Sequence, residues 1–190
     1  MLSPANGVGS VEGTIKVDST LSNTLRSTEL QFVGANGQRC KLTVTQFGYG
    51  KQIFLKEPTV EIENTDSYDN RSFQSVISAN VECKIGKIEY SYEGDLTEEE
   101  KADNTKELEG WLLNSKDENK LVGTNLGIVL DKKYRPRSVN FKFRWAMNIV
   151  PVTRVAKVHL VPANAEDQLV DTNGNPTGEV VLTVRQKPTL

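Results

Sequence analysis

The feature that most constrains this chain is the alternation of apolar and polar residues in many short segments. The clearest case is VNFKFRW, residues 139–145, in which every second residue is apolar or aromatic. Because successive side chains of a β-strand point to opposite faces, this period of two indicates a half-buried strand. Similar segments recur between turns rich in glycine, asparagine and proline, which predicts a mainly β fold, an antiparallel sandwich.

Two pairs of segments carry the signature of β-hairpins. ELQFV at 29–33 and CKLTVTQ at 40–46 flank a turn that contains Asn-Gly, the dipeptide most typical of tight reversals. KVHLV at 157–161 and VVLTVRQ at 180–186 repeat the plan around a longer connection. The endings LTVTQ and LTVRQ therefore predict two closing hairpins of similar β-modules, with chance similarity as the alternative.

Two irregularities are expected among the intervening strands. Pro58 interrupts the strand that begins QIFLK, because proline cannot donate to the ladder, and apolar alternation resumes at Val60 and Ile62. In VECKIGKIEYSY, residues 81–92, the apolar positions change parity at Gly86. A one-residue bulge at this glycine would keep both apolar sets on one face of the sheet.

One segment predicts a helix. Thr97 and Glu100 have the spacing of a capping box, and the acidic residues 98–100 suit the positive end of a helix dipole. Leu108, Trp111 and Leu112 share a helical face. The expected helix covers about 97–113. The expected domains are a small N-terminal β-hairpin unit or docking arm, 1–48, and a sandwich module, 49–190.

Charge and motif content argue against several classes of function. A net charge of −2 and a pI of about 5.6 do not favour general attraction to nucleic acid or an acidic membrane, so neither is an expected partner. His159 is the single histidine, which excludes a metal site built from several histidines. The loop DTNGNPTGE at 171–179 lacks the central glycine and terminal acid of a calcium loop and predicts a hairpin turn. No catalytic residue, metal or cofactor is expected, and the chain is predicted not to be an enzyme.

The two cysteines, Cys40 and Cys83, are too few for a disulfide framework. Both are predicted to be free, half-buried strand thiols, with a single bridge as the alternative. The first residues, MLSPANGVGSVEG, lack the basic start and apolar core of a secretory signal. The chain is therefore expected to be used without export or to begin after a removed signal.

One segment, KKYRPRSVNFKFRW at 132–145, concentrates basic and aromatic residues. Its cations form the candidate interface: Lys132, Lys133, Arg135, Arg137, Lys142 and Arg144. Three interpretations are open: stacking of single-stranded nucleic acid, a half-buried strand whose cations face solvent, and docking to an acidic partner protein. Strand parity favours the second, because it places rings and charges on opposite faces.

The strand ending L-T-V-T-Q after a glycine turn resembles the last strand of immunoglobulin-like BACON modules, which occur in surface proteins of gut Bacteroidota. The resemblance covers 29–46 and 157–186. Sandwiches of this type are similar to auxiliary capsid, head-fibre and other accessory proteins of tailed bacteriophages. The resemblance implies a non-enzymatic virion protein, a capsid decoration, head-fibre or tail component, assembled in the host cytoplasm. It would dock to other virion proteins and to copies of itself as a homo-oligomer.

The alternative function is a carbohydrate-binding β-sandwich of a bacterial cell-surface protein. Binding of cell-surface glycans requires exposed aromatic platforms on a concave face. The candidate platforms are Tyr68, Tyr90, Tyr92, Tyr134 and Trp111.

Overall fold

The computed structural model describes residues 2–3, 12–20, 22–64, 72–116 and 136–188. The structure is mainly β, with 52% of the described residues in strands and 7% in helices, as the alternation predicts. It divides into two compact units. The first comprises Met1–Gly50 and Val170–Asn175, and the second comprises Lys51–Leu169 and Pro176–Leu190.

The first unit contains two pairs of antiparallel strands. β1 (Leu2–Ser3) pairs with β2 (Thr14–Ile15), and β3 (Arg26–Val33) pairs with β4 (Arg39–Gln46). In the turn between β3 and β4, the Gly34 N–H donates to the Gln38 carbonyl, and Gly37 has a φ of 79°. That positive φ is accessible at little cost only to glycine. The predicted first hairpin is confirmed.

The second unit is built from two four-stranded sheets. One sheet contains β5 (Ile53–Leu55), β7 (Ser72–Ala79), β9 (Leu112–Asn114) and β10 (Arg137–Trp145). The other contains β6 (Thr59–Ile62), β8 (Cys83–Glu93), β11 (Thr153–Pro162) and β14 (Val180–Gln186). The short strands β12 (Leu169–Val170) and β13 (Pro176–Thr177) follow β11 in the chain and pair with each other. The sheet orders are β5-β7-β10-β9 and β6-β14-β11-β8. β11 and β14 are antiparallel, which confirms the second predicted hairpin. β6 and β14 run parallel, so the expectation of a purely antiparallel arrangement is wrong at this edge.

One buried cluster draws side chains from both four-stranded sheets, as happens when two sheets face each other. Its fully buried members include Ile77 and Phe143 from one sheet and Val158 and Leu182 from the other. A smaller cluster joins Leu108 to Val150 and neighbouring residues.

Both predicted irregularities are present. β5 ends before Pro58 and β6 begins after it, and the two strands belong to different sheets. Along β8, Lys87 is opposite His159 whereas Ile85 is opposite Leu160, so Gly86 is the extra residue of a bulge. The bulge returns Ile88 and Tyr90 to the side of the buried cluster.

The predicted helix is shorter than expected and is divided in two. α1 (Glu98–Asp103) starts with the Thr97–Glu100 capping box, and α2 (Thr105–Leu108) follows directly. The C-cap residue of α2, Glu109, is already extended, with a φ of −122° and a ψ of 147°, and Gly110 follows with a φ of 71°. Leu112 does not continue a helical stripe but starts β9, which pairs with β10. The expectation of one helix over 97–113 is therefore wrong at its C-terminal end.

Candidate functional site

The basic segment is placed in part. Lys132, Lys133 and Arg135 lie outside the described residues. Arg137, Lys142 and Arg144 lie on β10, with Arg137 and Lys142 exposed and Arg144 half-buried. The alternating rings Phe141, Phe143 and Trp145 are at most 6% exposed. Because these rings are packed in the core, they offer no platform on which a base could stack.

The outer face of this sheet combines the cations Lys142 and Arg144 with polar side chains and with Val76, which is 41% exposed. On β7, Ser72 lies opposite Arg144 and Gln74 lies opposite Lys142. Among the described outward residues of β7, β9 and β10 there is no carboxylate. Since none of the described strand residues on this face carries a carboxylate, Lys142 suits contact with an acidic surface better than with a basic one.

The outer face of the other sheet carries ion pairs, in which each cation is neutralised by a carboxylate. Arg185 on β14 contacts Glu93 and lies 3.4 Å from Glu61, and Lys187 pairs with Glu63. Surface pairs of this kind contribute little to stability. They do, however, leave this face without an excess of either charge. The two outer faces therefore differ in the partners they could attract.

His159 lies between two carboxylates on that second face. Its Nε2 is 3.0 Å from Glu89 and its Nδ1 is 2.9 Å from Glu179. The residue is 6% exposed. The Lys87 ammonium holds the pKa of Glu89 below its usual range. The two ring nitrogens point in opposite directions, so the carboxylates cannot join the ring on one metal ion.

The Asp171 loop is a hairpin turn, as predicted. The Asp171 carboxylate accepts hydrogen bonds from the backbone N–H groups of Asn173 at 2.8 Å and Asn175 at 2.9 Å. The Asn175 bond is the main reason that the pKa of Asp171 is lowered. Gly174 supplies a φ of 85°. Within the part of the chain that the structure describes, no group of three or more His, Cys, Asp or Glu residues could hold a metal ion.

The most unusual buried group is Arg154, which the motif search missed. Its guanidinium is 0% exposed and donates to the Gln186 side chain, to the Glu107 carbonyl at 2.6 Å and to the Ala146 carbonyl at 2.7 Å. Its Cζ lies 4.9 Å from the centre of the Trp111 ring. Burial lowers the pKa of Arg154 to about 10, still far above neutral pH. A cation with core parity in TRVAKVHLV is the sequence signal for such a group.

The candidate carbohydrate platforms are not assembled into a surface. Tyr68 and Tyr134 lie outside the described residues. Trp111 is 1% exposed, and Tyr90 packs against it with the ring centres 6.1 Å apart. Tyr92 is partly buried against the smaller cluster. The described aromatic residues of this set therefore support the core.

The first unit carries an exposed apolar surface, here called the hairpin face. It consists of six side chains on one side of β3 and β4: Thr28, Leu30, Phe32, Cys40, Leu42 and Val44. On the same side, Arg26 and Gln46 border it at the cleft end. Phe32 is 41% exposed and Leu42 is 44% exposed. At one end of the face, residues 15–18 form the other wall of an open cleft of about 430 Å³. Among the described residues of this unit, no hydrophobic side chain is buried.

The two cysteines should differ sharply in reactivity. Both are free; Cys40 is exposed on the hairpin face, whereas Cys83 is buried in the core of the second unit. Burial raises the pKa of the Cys83 thiol to about 11. At about pH 8, a disulfide reagent should therefore label one thiol per native chain, and a second only after denaturation, because the thiolate is the reactive form. Peptide mapping that found Cys83 labelled as fast as Cys40 would contradict this assignment.

Comparisons with known proteins identify no relative. The chain matches no protein-family model, no curated protein and no solved structure. Of the described helices, none has the length and apolar character needed to cross a membrane.

Proposed function

We propose that this chain is a non-enzymatic structural protein of a tailed-bacteriophage virion, a capsid auxiliary, head-fibre or tail component. It acts by docking to other virion proteins and to copies of itself. The second unit serves as the rigid body and has the immunoglobulin-like fold. The first unit, including residues 1–17, serves as the docking element.

The order of the strands supports the immunoglobulin-like assignment. In such domains, strands named A to G in chain order form one sheet ordered A-B-E-D and another ordered C-F-G. Taken in chain order, β5, β7, β10 and β9 correspond to A, B, E and D, and β8, β11 and β14 correspond to C, F and G. β6 is an extra strand beside β14, reached after the break at Pro58.

The observation that carries the docking function is the hairpin face. A two-stranded hairpin is marginal in water on its own. In the first unit it presents Phe32 and Leu42 to solvent, while no hydrophobic side chain among the described residues there is buried. Contiguous exposed apolar surface of this kind typically marks a contact with another protein. The virion as the place of that contact rests on the resemblance to phage accessory proteins, which is an analogy of fold.

The cationic outer face around Lys142 and Arg144 provides a second contact. Its lack of carboxylates among the described strand residues suits an acidic neighbouring subunit, which would set orientation and speed of docking more than affinity. Of the candidate interface, Lys142 and Arg144 lie on this outer face, whereas Arg137 has the parity of the buried Phe141 and Phe143 and lies opposite Ala79.

Particle association tests the proposed function. In particles purified from cultures that carry the gene for this chain, mass spectrometry should find the chain at a fixed ratio to the major shell protein. Lys142→Glu should reduce incorporation several-fold, because it puts a carboxylate against the acidic neighbour. Lys157→Glu is the matched control, since Lys157 is an exposed strand lysine on the outer face of the other sheet. A chain found only in the particle-free fraction would overturn the proposal.

Carbohydrate binding is the weaker alternative on these contacts. It needs flat, exposed rings, and Trp111 and Tyr90 are instead part of the buried cluster. No observation on the described residues favours it over docking.

A further inference from the structure

We propose that the hairpin face is the contact between two copies of this chain, which pack face to face about a two-fold axis. This inference rests on the proposed docking function and names its partner. In each copy, the exposed Phe32 ring enters the cleft of the other copy beside Leu30 and Val44.

The repeated strand sequence indicates what kind of surface covers the hairpin face. β4 ends LTVTQ and β14 ends LTVRQ. In β14, Leu182 and Val184 are 0% exposed because an opposing sheet covers them. The equivalent Leu42 in β4 is 44% exposed. The same alternation is thus present in both strands, but among the described residues no apolar sheet covers the one in the first unit.

The charge pattern of the hairpin favours a second copy of this chain as the surface that covers the hairpin face. The charged residues of the hairpin centre, Glu29 and Lys41, lie on the opposite side and pair with each other at 2.8 Å. The hairpin face carries no charge in its middle, so a copy can meet its own kind without opposing like charges. Such self-complementarity is what a two-fold contact requires. Elsewhere in the described chain, the exposed large hydrophobics of the second unit are only Val76 and Ile149.

The geometry of the hairpin makes the contact reciprocal. The two-fold axis passes between the two facing hairpins beside the Leu30–Leu42 pair, parallel to the sheets and perpendicular to the strands. It therefore reverses the strand direction in the second copy. Phe32 lies two residues beyond Leu30 on the same side, about 7 Å along the strand. The reversal brings it over the Thr28–Val44 pair of the other copy, which is the end where residues 15–18 line the cleft.

Sedimentation velocity on the full chain tests the dimer. At about 50 µM, the wild-type chain should sediment as a dimer, with twice the 21.1 kDa mass of one chain. Phe32→Glu should raise the dimer dissociation constant at least about 100-fold. Leu42→Glu on the other strand should do the same. Tryptophan fluorescence should stay unchanged, because Trp111 and Trp145 lie in the second unit. Circular dichroism should also stay unchanged, because Phe32 and Leu42 are exposed side chains.

Val33→Glu is the matched control. Val33 is adjacent to Phe32 and is 61% exposed, but it lies on the other side of the strand opposite Arg39. It should dimerise as the wild type does. Thiol labelling gives a second readout: the rate at Cys40 should fall as wild-type concentration rises and should not do so for Phe32→Glu.

Two results would overturn the second-copy contact. One is a wild-type chain that stays at 21.1 kDa up to about 200 µM. The other is Val33→Glu dissociating as readily as Phe32→Glu. If the chain is monomeric but Phe32→Glu abolishes its incorporation into particles, the face binds a different protein. In that case the dimer is excluded while the proposed function stands.

Discussion

Replacing Arg154 with methionine is expected to destabilise the second unit by about 3 kcal/mol, the largest effect we predict for a single substitution. Methionine has a similar length and removes the charge. It leaves the Gln186 side-chain oxygen and the Glu107 carbonyl without their arginine donor, whereas the Ala146 carbonyl loses one of its two donors and keeps the Gln186 side-chain amide. Each buried acceptor that loses its partner costs about 1–3 kcal/mol.

Relief of desolvation offsets only part of this loss. The buried guanidinium has no carboxylate among its hydrogen-bond partners in the described structure; carbonyl and amide oxygens and the Trp111 ring surround it. Removing it therefore strands no buried negative charge, which keeps the cost below that of breaking many buried ion pairs. Arg154→Lys should cost about 2 kcal/mol, because an ammonium keeps the charge but cannot donate in the directions of the planar fork.

Urea denaturation followed by tryptophan fluorescence measures these differences. Arg185→Met is the matched control: Arg185 is on the neighbouring strand β14, is partly exposed, and pairs with Glu61 and Glu93. This control should lose less than about 1 kcal/mol. If Arg154→Met and Arg185→Met were equally stable, the buried hydrogen bonds of Arg154 would not stabilise the second unit as described.

The alternation of the strand could have indicated the buried position of Arg154, but not its hydrogen-bond partners. In TRVAKVHLV the arginine has the same parity as the buried Ala156 and Val158, so a cation pointing into the core could be expected. Its acceptors come from residues 107, 146 and 186, which no local pattern brings together. Long-range pairing of this kind depends on the whole tertiary structure.

Local features were the most predictable parts of the fold. The bulge at Gly86, the break at Pro58 and the capping box at Thr97 each follow from the backbone chemistry of a few residues. The end of the helix did not, because Leu108, Trp111 and Leu112 satisfy a helical spacing. The positive φ of Gly110 and the pairing of Leu112 with Trp145 override it.

For the candidate interface, the sequence predicts only that β10 is a strand with one buried and one exposed face. Alternation on β10 correctly separates the buried Phe143 from the exposed Lys142. It does not reveal that the outer face of the neighbouring β7 lacks acidic residues at the paired positions, because the pairing of these two strands is a property of the sheet. The exposure of the hairpin face is likewise invisible in a sequence that alternates as cleanly as a buried strand.

Leucine-to-alanine substitutions at the two repeated strands should differ several-fold in cost, although the local sequence is the same. Leu182→Ala removes a side chain that is 0% exposed within the main cluster, and should cost about 3 kcal/mol through lost burial and the cavity left behind. Leu42→Ala removes a side chain that is 44% exposed, and should cost less than about 1 kcal/mol. Burial, and not strand sequence, decides the difference.

Thermal and urea denaturation should be followed by two signals, since tryptophan fluorescence reports on the second unit and far-ultraviolet circular dichroism reports on strands of both. Leu182→Ala should lower the midpoint in both signals, and Leu42→Ala should leave both within error at low protein concentration. At high concentration, Leu42→Ala should also lose the stabilisation that dimer formation adds by mass action. Equal losses for the two variants at low concentration would mean that Leu42 is covered within a single chain, and the hairpin face would no longer be available for docking.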